Sequence, residues 1–119
     1  MGEKILIVDD DPINLKLFSI IADKHHWEYD TASDGYQVKD MISEKEYKVV
    51  LLDIQLPGID GFSLIKEIKK KSDRTMVIAV TAYAMVGDKE KILNAGADDY
   101  LAKPVDIDEL VKKVENKIR

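Results

Sequence analysis

Asp9 and Asp10 close the apolar run Ile5-Leu6-Ile7-Val8, and Asp53 closes a second, Val49-Val50-Leu51-Leu52. Thr81 ends a third, Val77-Ile78-Ala79-Val80, and Lys103-Pro104 follows a fourth, Tyr100-Leu101-Ala102. Short apolar runs of this kind read as buried strands, so each polar residue stands where a strand would leave a sheet. In open parallel sheets, ligands bind at the carboxyl ends of the strands. Four strand ends therefore deliver three carboxylates, one hydroxyl and one ammonium to one edge. Taken singly, each has a structural reading: Asp9 and Asp10 as strand-end caps, Asp53 as a turn acid, Thr81 as a β-former, Lys103 as a surface charge. Stability does not require them together, so the cluster reads as chemistry.

The elements that must position this cluster alternate between two periodicities. Ile5–Val8 is the first strand. Asp11 and Pro12 supply an N-cap and a proline at the first helical position, and Ile13, Leu17, Ile20 and Ile21 follow at helical spacing. Trp27–Thr31 alternates as a second, edge strand. Asp34, with Gln37 three residues on, caps a second helix whose stripe is Val38, Met41 and Ile42. Lys48–Leu52 is the third strand, and Leu56-Pro57-Gly58-Ile59 suits a type II turn. Asp60 reads as the N-cap of a third helix carrying Phe62, Leu64, Ile65 and Ile68. Met76–Val80 is the fourth strand. A fourth helix ends at Asn94-Ala95-Gly96, where glycine can take the left-handed conformation. Asp98 and Asp99 are expected to be solvated at a loop beside it, and Asp99–Ala102 is the fifth strand. Asp106 and Glu109 start a fifth helix with Ile107, Leu110, Val111, Val114 and Ile118 facing inward. Five strand–helix units in this order predict a doubly wound α/β fold with helices on both faces of a parallel sheet.

The 119 residues suit one domain, 1–119, and 45% hydrophobic content excludes disorder. The net charge of −5 leaves no electrostatic footprint for nucleic acid. Without cysteine there is no disulfide or zinc–thiolate site, which fits a reducing, cytoplasmic setting. No apolar run approaches the roughly 20 residues of a membrane span. Met1-Gly2-Glu3-Lys4 lacks a signal-peptide pattern, and Leu6 stands where myristoylation expects serine or threonine.

Asp9-Asp10, Asp53, Thr81-Ala82 and Lys103-Pro104, with Leu56-Pro57-Gly58-Ile59-Asp60-Gly61 and Ala95-Gly96-Ala97-Asp98-Asp99-Tyr100-Leu101, resemble the receiver domain of two-component response regulators over essentially the whole chain. The resemblance implies strand order 2-1-3-4-5. It also implies a phosphoryl group received on Asp53 from a sensor histidine kinase or histidine phosphotransfer protein, with no enzyme activity beyond self-phosphotransfer and autodephosphorylation. Two unit charges about 4 Å apart interact by about 4 kcal/mol at an effective dielectric near 20, so three acids around a phosphoryl group ask for a divalent ion. Oxygen ligands with open positions favour Mg²⁺ or Mn²⁺. The expected ligands are Asp10, Asp53 and the Gln55 backbone carbonyl, with Asp9 acting through water. Lys103 supplies a point charge to the phosphoryl oxygens.

The resemblance also makes Thr81 and Tyr100 a switch that alters the surface of the fourth helix, fifth strand and fifth helix, which a downstream target reads. A hydrogen bond from Thr81 to a charged group, worth about 1.5–3 kcal/mol, falls short of the roughly 5.5 kcal/mol of a full population shift; the Lys103 contact would have to supply the rest. Tyr100 also has a plain reading, as a β-former with a wet hydroxyl. Gln55 and Tyr83, two residues after Asp53 and Thr81, are expected to modulate the lifetime of the acyl phosphate. Tyr83-Ala84-Met85-Val86 is a docking patch or the pocket's cover. Ile13, Asn14, Leu17, Pro104 and Val105 are the candidate kinase-docking residues, and the oligomeric expectation is a monomer or a weak phosphorylation-dependent dimer. The Lys103-Pro104 bond is cis in the family, which the sequence itself does not dictate.

One departure is His26, where the family often has glycine closing the first helix; a non-glycine residue there must adopt an unusual conformation or end the helix differently. His25 and His26 read as helix-end residues rather than a metal pair. A haloacid-dehalogenase-like Mg²⁺ phosphatase is the enzymatic alternative, but it needs an acid where Gln55 stands, and its elements come in another order. A flavodoxin would place an anion against Asp9-Asp10-Asp11, and no glycine-rich lysine loop suggests nucleotide hydrolysis. A further alternative is a receiver excised from a longer hybrid kinase or effector-bearing regulator.

Overall fold

The strands are apolar on both sides because helices cover both sides. The structure, a computed structural model, describes residues 4–56, 58–82 and 86–118. Its elements are β1 (Lys4–Val8), α1 (Pro12–Lys24), β2 (Glu28–Ala32), α2 (Gly35–Glu44), β3 (Val49–Asp53), α3 (Gly61–Lys71), β4 (Met76–Thr81), α4 (Val86–Asn94), β5 (Asp99–Ala102) and α5 (Ile107–Ile118). The strands form one sheet in the order β2-β1-β3-β4-β5, and every neighbouring pair is parallel. The expected fold class and strand order are both met.

Alternation along the strands divides the core in two. Leu6, Val8, Val50, Leu52, Val77 and Ala79 face α2, α3 and α4, where they meet Val38, Leu64, Ile65, Ile68 and Ile92. Ile5, Ile7, Val49, Leu51, Ile78 and Val80 face α1 and α5, where they meet Phe18, Ile21, Ala22, Leu110 and Val114. Each strand is thereby clamped, and the residues at its carboxyl end are held to the register of its neighbours. Leu52 pairs with Ala79 and Asp53 with Val80; Thr81 pairs with Ala102.

Helix starts follow local chemistry. Asp11 accepts the Ile13 N–H (2.9 Å), Asp34 that of Gln37 (2.8 Å), Asp60 that of Phe62 (3.4 Å) and Asp106 that of Glu109 (3.2 Å). His26 takes φ 59 after α1, the strained conformation its departure from glycine implied, and Gly96 takes φ 114 after α4. Gly58 has φ 90, as the third residue of a type II turn requires; Pro57 lies outside the described residues.

Two expectations are corrected, in α5 and at Asp98 and Asp99. In α1, where helical spacing alone left the inward face open, Phe18, Ile21 and Ala22 are buried, while Ile13, Leu17 and Ile20 are 77%, 44% and 55% exposed. The helix carries two apolar stripes, and periodicity alone does not say which meets the sheet. In α5, Leu110 and Val114 are buried and Val111 and Ile118 pack partly, while Ile107, the first residue of the helix, is 46% exposed. Asp98 and Asp99 are not simply solvated. Asp98 Oδ2 accepts the Val77 N–H (2.8 Å) and the Lys69 ammonium (2.9 Å), and Asp99, the first residue of β5, pairs with Lys113 of α5. Among the described residues no helix is long and apolar enough to cross a membrane.

Candidate functional site: a carboxylate cluster at the carboxyl edge of the sheet

β1 and β3 are adjacent, so their carboxyl ends bring Asp9, Asp10 and Asp53 together. Each offers a carboxylate oxygen within 4.8 Å of the others. Asp9 is 1% and Asp53 3% exposed, whereas Asp10, the next residue after Asp9, is exposed. Backbone N–H groups fix two of the oxygens. Asp9 Oδ1 accepts from Asp11 (2.9 Å), and Asp53 Oδ1 accepts from Gln55 (2.9 Å).

Lys103 enters from the end of β5, and its backbone N–H donates to the Thr81 carbonyl (2.8 Å). The Lys103–Pro104 peptide is cis. Its Nζ donates to Asp53 Oδ2 at 3.1 Å and lies 3.8 Å from Asp9 Oδ2. Burial works to lower the Lys103 pKa, but the hydrogen bond to Asp53 and the charges of Asp53, Asp9 and Asp10 raise it on balance. The Asp9 pKa is raised as well, which for a carboxyl favours the neutral form: burial raises it, the Asp53 charge adds to that, and the Asp11 N–H, Lys103 and the Asn14 side chain only partly offset it. Among the described residues, the buried Asp9 Oδ2 has no hydrogen-bond partner.

This orphaned oxygen is the test of fit for a metal ion. A buried carboxylate oxygen facing two further acids, with one ammonium among three negative charges, is a donor set short of positive charge. Oxygen donors alone match a hard divalent cation such as Mg²⁺ rather than zinc or copper.

Thr81 ends β4 with 1% exposure beside Asp53. The Gln55 side chain spans the two loops, its Oε1 accepting the Ala82 N–H at 3.4 Å. Tyr100 is half-buried against the α2–α3–α4 side of the core, and the Lys89 ammonium of α4 sits 5.3 Å from its ring centroid. Tyr83, Ala84 and Met85 lie outside the described residues, as does the side chain of Val86, so the expectations resting on them are not addressed. On the other flank, Asn14, Leu17, Pro104 and Val105 line a cavity of about 430 Å³ with Lys103, Phe18, Ile21 and Ile107. Ile13, also expected there, projects from α1 outside that lining.

Sequence reasoning missed Lys89 and Ile107. The apolar Ile107 was assigned inward by periodicity; its place as the first residue of α5, right after the Pro104-Val105 loop, was the available signal. No local signal pairs Lys89 with Tyr100, since they meet only once α4 packs on β5.

Comparison with known proteins accords with this geometry. Residues 5–115 match the family model for the response regulator receiver domain. The polar-differentiation response regulator DivK of Brucella anthropi is 31% identical over 118 residues, covering 98% of this chain and 96% of DivK. The signal transduction histidine-protein kinase BarA of Escherichia coli strain K12 is 38% identical over 108 residues, 89% of this chain but only 12% of BarA. The chain thus spans nearly all of one relative and a small part of the other. Among solved structures, a CheY-like receiver domain protein from Methanospirillum hungatei JF-1 superposes with a TM-score of 0.92 at 32% identity, covering 99% of this chain and 94% of that one. The receiver domain of the sensor histidine kinase PA1611 from Pseudomonas aeruginosa PAO1, whose active-site cleft holds a coordinated magnesium ion, gives 0.89 at 34% identity, with 99% and 98% covered. That family is one of signalling proteins rather than classical enzymes, its members exchanging signals with histidine kinases and downstream targets. With its sheet order, its acid cluster and its matched residues in agreement, the chain belongs to the response regulator receiver domain family, the phosphorylation-dependent switches of two-component signalling.

Proposed function

We propose that Asp53 is the phosphoryl acceptor of this receiver, supplied by a histidine kinase or histidine phosphotransfer protein. The observation that carries the assignment is Asp53 Oδ2, buried at a strand end and held 3.1 Å from the Lys103 ammonium. In the transfer, that carboxylate forms a bond to phosphorus, the P–N bond of the donor phosphohistidine breaks, and the imidazole leaves with the electron pair. Hydrolysis of the acyl phosphate by water releases inorganic phosphate and returns the carboxylate, which resets the receiver.

Asp10, Asp53 and the Gln55 carbonyl are the ligands proposed for Mg²⁺, or Mn²⁺, with Asp9 acting through a bound water. Bound there, the ion neutralises phosphoryl oxygens and orients the donor. Lys103 balances a further phosphoryl oxygen, and Thr81 donates its hydroxyl to the phosphorylated group. Tyr100 responds to Thr81, which changes the α4–β5–α5 surface that a protein target reads. Gln55 and Tyr83 set the lifetime of the phosphorylated state. Asn14, Leu17, Pro104 and Val105, with exposed Ile13 beside them, form the donor's docking face, supported by the apolar cavity between α1 and the start of α5. The protein works in the cytoplasm, as a monomer or a weak phosphorylation-dependent dimer, without binding nucleic acid or membrane itself.

Acetyl phosphate and Mg²⁺ test the acceptor directly. Intact mass is expected to rise by one phosphoryl group, and Asp53→Asn to abolish the gain. A gain that survives Asp53→Asn refutes the assignment.

A further inference from the structure

The loop that leaves Asp53 and carries Gln55 is seated against the first turn of α2. A Cβ on Gly35 would stand 2.8 Å from Ile59 Cβ and 3.0 Å from Ile59 Cδ1. Real Cβ atoms do not approach heavy atoms below 3.0 Å, so any larger residue at Gly35 must displace Ile59. Gly35 is thus the position where α2 touches the loop. The next residue, Tyr36, lies against Gly58: a Cβ there would be 3.1 Å from Tyr36 Cε2. Tyr36 is 62% exposed, so core burial does not account for its ring. At the far end, a Cβ on Gly61 would run into the Ile54 carbonyl oxygen, which leaves the base of α3 tight against the start of the same loop. The loop is therefore gripped from both sides, with Gln55 between the grips.

We infer that Gly35 and Tyr36 are positioning residues for the cation site: by holding Gly58 and Ile59, α2 fixes the path that aims the Gln55 carbonyl at the acid cluster. This rests on the proposed ligand set of Asp10, Asp53 and the Gln55 carbonyl. Asp53 is the last residue of β3, and Asp10 lies two residues beyond β1, just before the capped start of α1. Gln55 sits on the longer loop between β3 and α3, so its placement depends on what that loop is packed against. Groups that orient metal ligands without touching the metal characteristically control affinity.

The 119-residue chain is titrated with Mg²⁺ by calorimetry, with thermal unfolding and the Ile54 and Gln55 amide resonances followed in parallel. Gly35→Ala is expected to weaken Mg²⁺ binding by about tenfold, the lower end for groups that orient ligands, and to shift both resonances. Tyr36→Ala is expected to weaken it less, by about threefold, with the melting temperature held because its ring is mostly exposed; Tyr36→Phe retains the parental affinity. If Gly35→Ala fails to fold, Tyr36→Ala decides. Parental Mg²⁺ affinity in Tyr36→Ala and in folded Gly35→Ala overturns the inference while leaving the ligand set standing. If the unsubstituted chain binds no Mg²⁺, or Asp53→Asn binds it equally well, the ligand set itself fails.

Discussion

Asp9→Asn is expected to stabilise the metal-free protein while weakening its response to Mg²⁺. The substitution keeps Oδ1, which accepts the Asp11 N–H at 2.9 Å, and replaces the buried oxygen that has no hydrogen bond. The charge terms nearly cancel. Attraction to Lys103 at 3.8 Å is about 4 kcal/mol at an effective dielectric near 20. Repulsion from Asp53, with oxygens within 4.8 Å, is at least about 3 kcal/mol on the same scale. The remainder is the cost of burying a carboxylate at 1% exposure, several kcal/mol per ion, which the raised pKa of Asp9 reports as dominant. Against that burial cost stand the roughly 1 kcal/mol left over from the charge terms and about 1 kcal/mol lost when the Asp11 N–H bonds a neutral amide instead of a carboxylate, so the net expectation is a gain of about 1 kcal/mol, or a rise of about 4 °C in Tm. Because the folded pKa of Asp9 lies above its ordinary 3.8, its neutral form is favoured in the native state. That contribution is complete below pH 3.8 and is lost as pH rises through the folded value. The advantage of Asn is therefore greatest at neutral pH and vanishes in acid. Urea unfolding in EDTA, followed by the buried Trp27, measures it. With Mg²⁺ at a hundredfold excess over the parent's Kd the order reverses, since binding adds about 2.7 kcal/mol to the parent but, at an affinity ten- to a hundredfold weaker, only about 0.4–1.4 kcal/mol to the variant. If Asp9→Asn is less stable than the parent in EDTA at neutral pH, the orphaned oxygen is no burden, and the fit argument for the cation fails with it.

Two further outcomes test the fold around the site. His26→Gly relieves the left-handed backbone at φ 59 on an exposed residue; after the larger unfolded-state entropy of glycine is subtracted, a gain of about 0.5 kcal/mol is expected as a higher urea midpoint with an unchanged m value. Asp30 is held below the ordinary carboxyl range: burial opposes this, but the Tyr47 hydroxyl at 2.7 Å and the ammonium groups of Lys45 and Lys4 outweigh it. Its contribution is present above pH 3.8 and is lost as pH falls through the lowered folded value; Asp30→Asn is expected to cost about 1 kcal/mol at neutral pH and to flatten the acid limb of a stability–pH curve.

Much of this molecule is legible because its signals are local. Asp11, Asp34, Asp60 and Asp106 each cap a helix through a backbone N–H two or three residues away, which a sequence states directly. The strands that carry Asp9, Asp53 and Thr81 are legible because a strand buried on both faces has no polar interruption until it ends. What fails is long-range. Asp98 meets Lys69 across 29 residues, and no local pattern distinguishes that from a solvated turn. Ile13, Leu17 and Ile20 keep helical spacing with Ile21 yet face solvent, because spacing records that a face is apolar and not what covers it. Gly35 looks like an ordinary residue after an N-cap until the tertiary packing sets Ile59 against it.

The site was readable for a different reason: it contradicts the rules that made the rest readable. Sequences that specify a fold agree across propensity, burial and polar satisfaction, and departures concentrate where function overrides stability. Asp9 and Asp53 are carboxylates placed where apolar runs predict burial, and they are in fact 1% and 3% exposed. Lys103 does not resolve the conflict; one ammonium shared between two buried acids leaves Asp9 Oδ2 without a hydrogen bond. A core selected only for stability would place apolar side chains at those two strand ends. Keeping the charges instead leaves the metal-free molecule with an excess of negative charge that a divalent cation would relieve, and only with that excess balanced would the proposed phosphoryl group, itself an anion, be tolerated beside these acids.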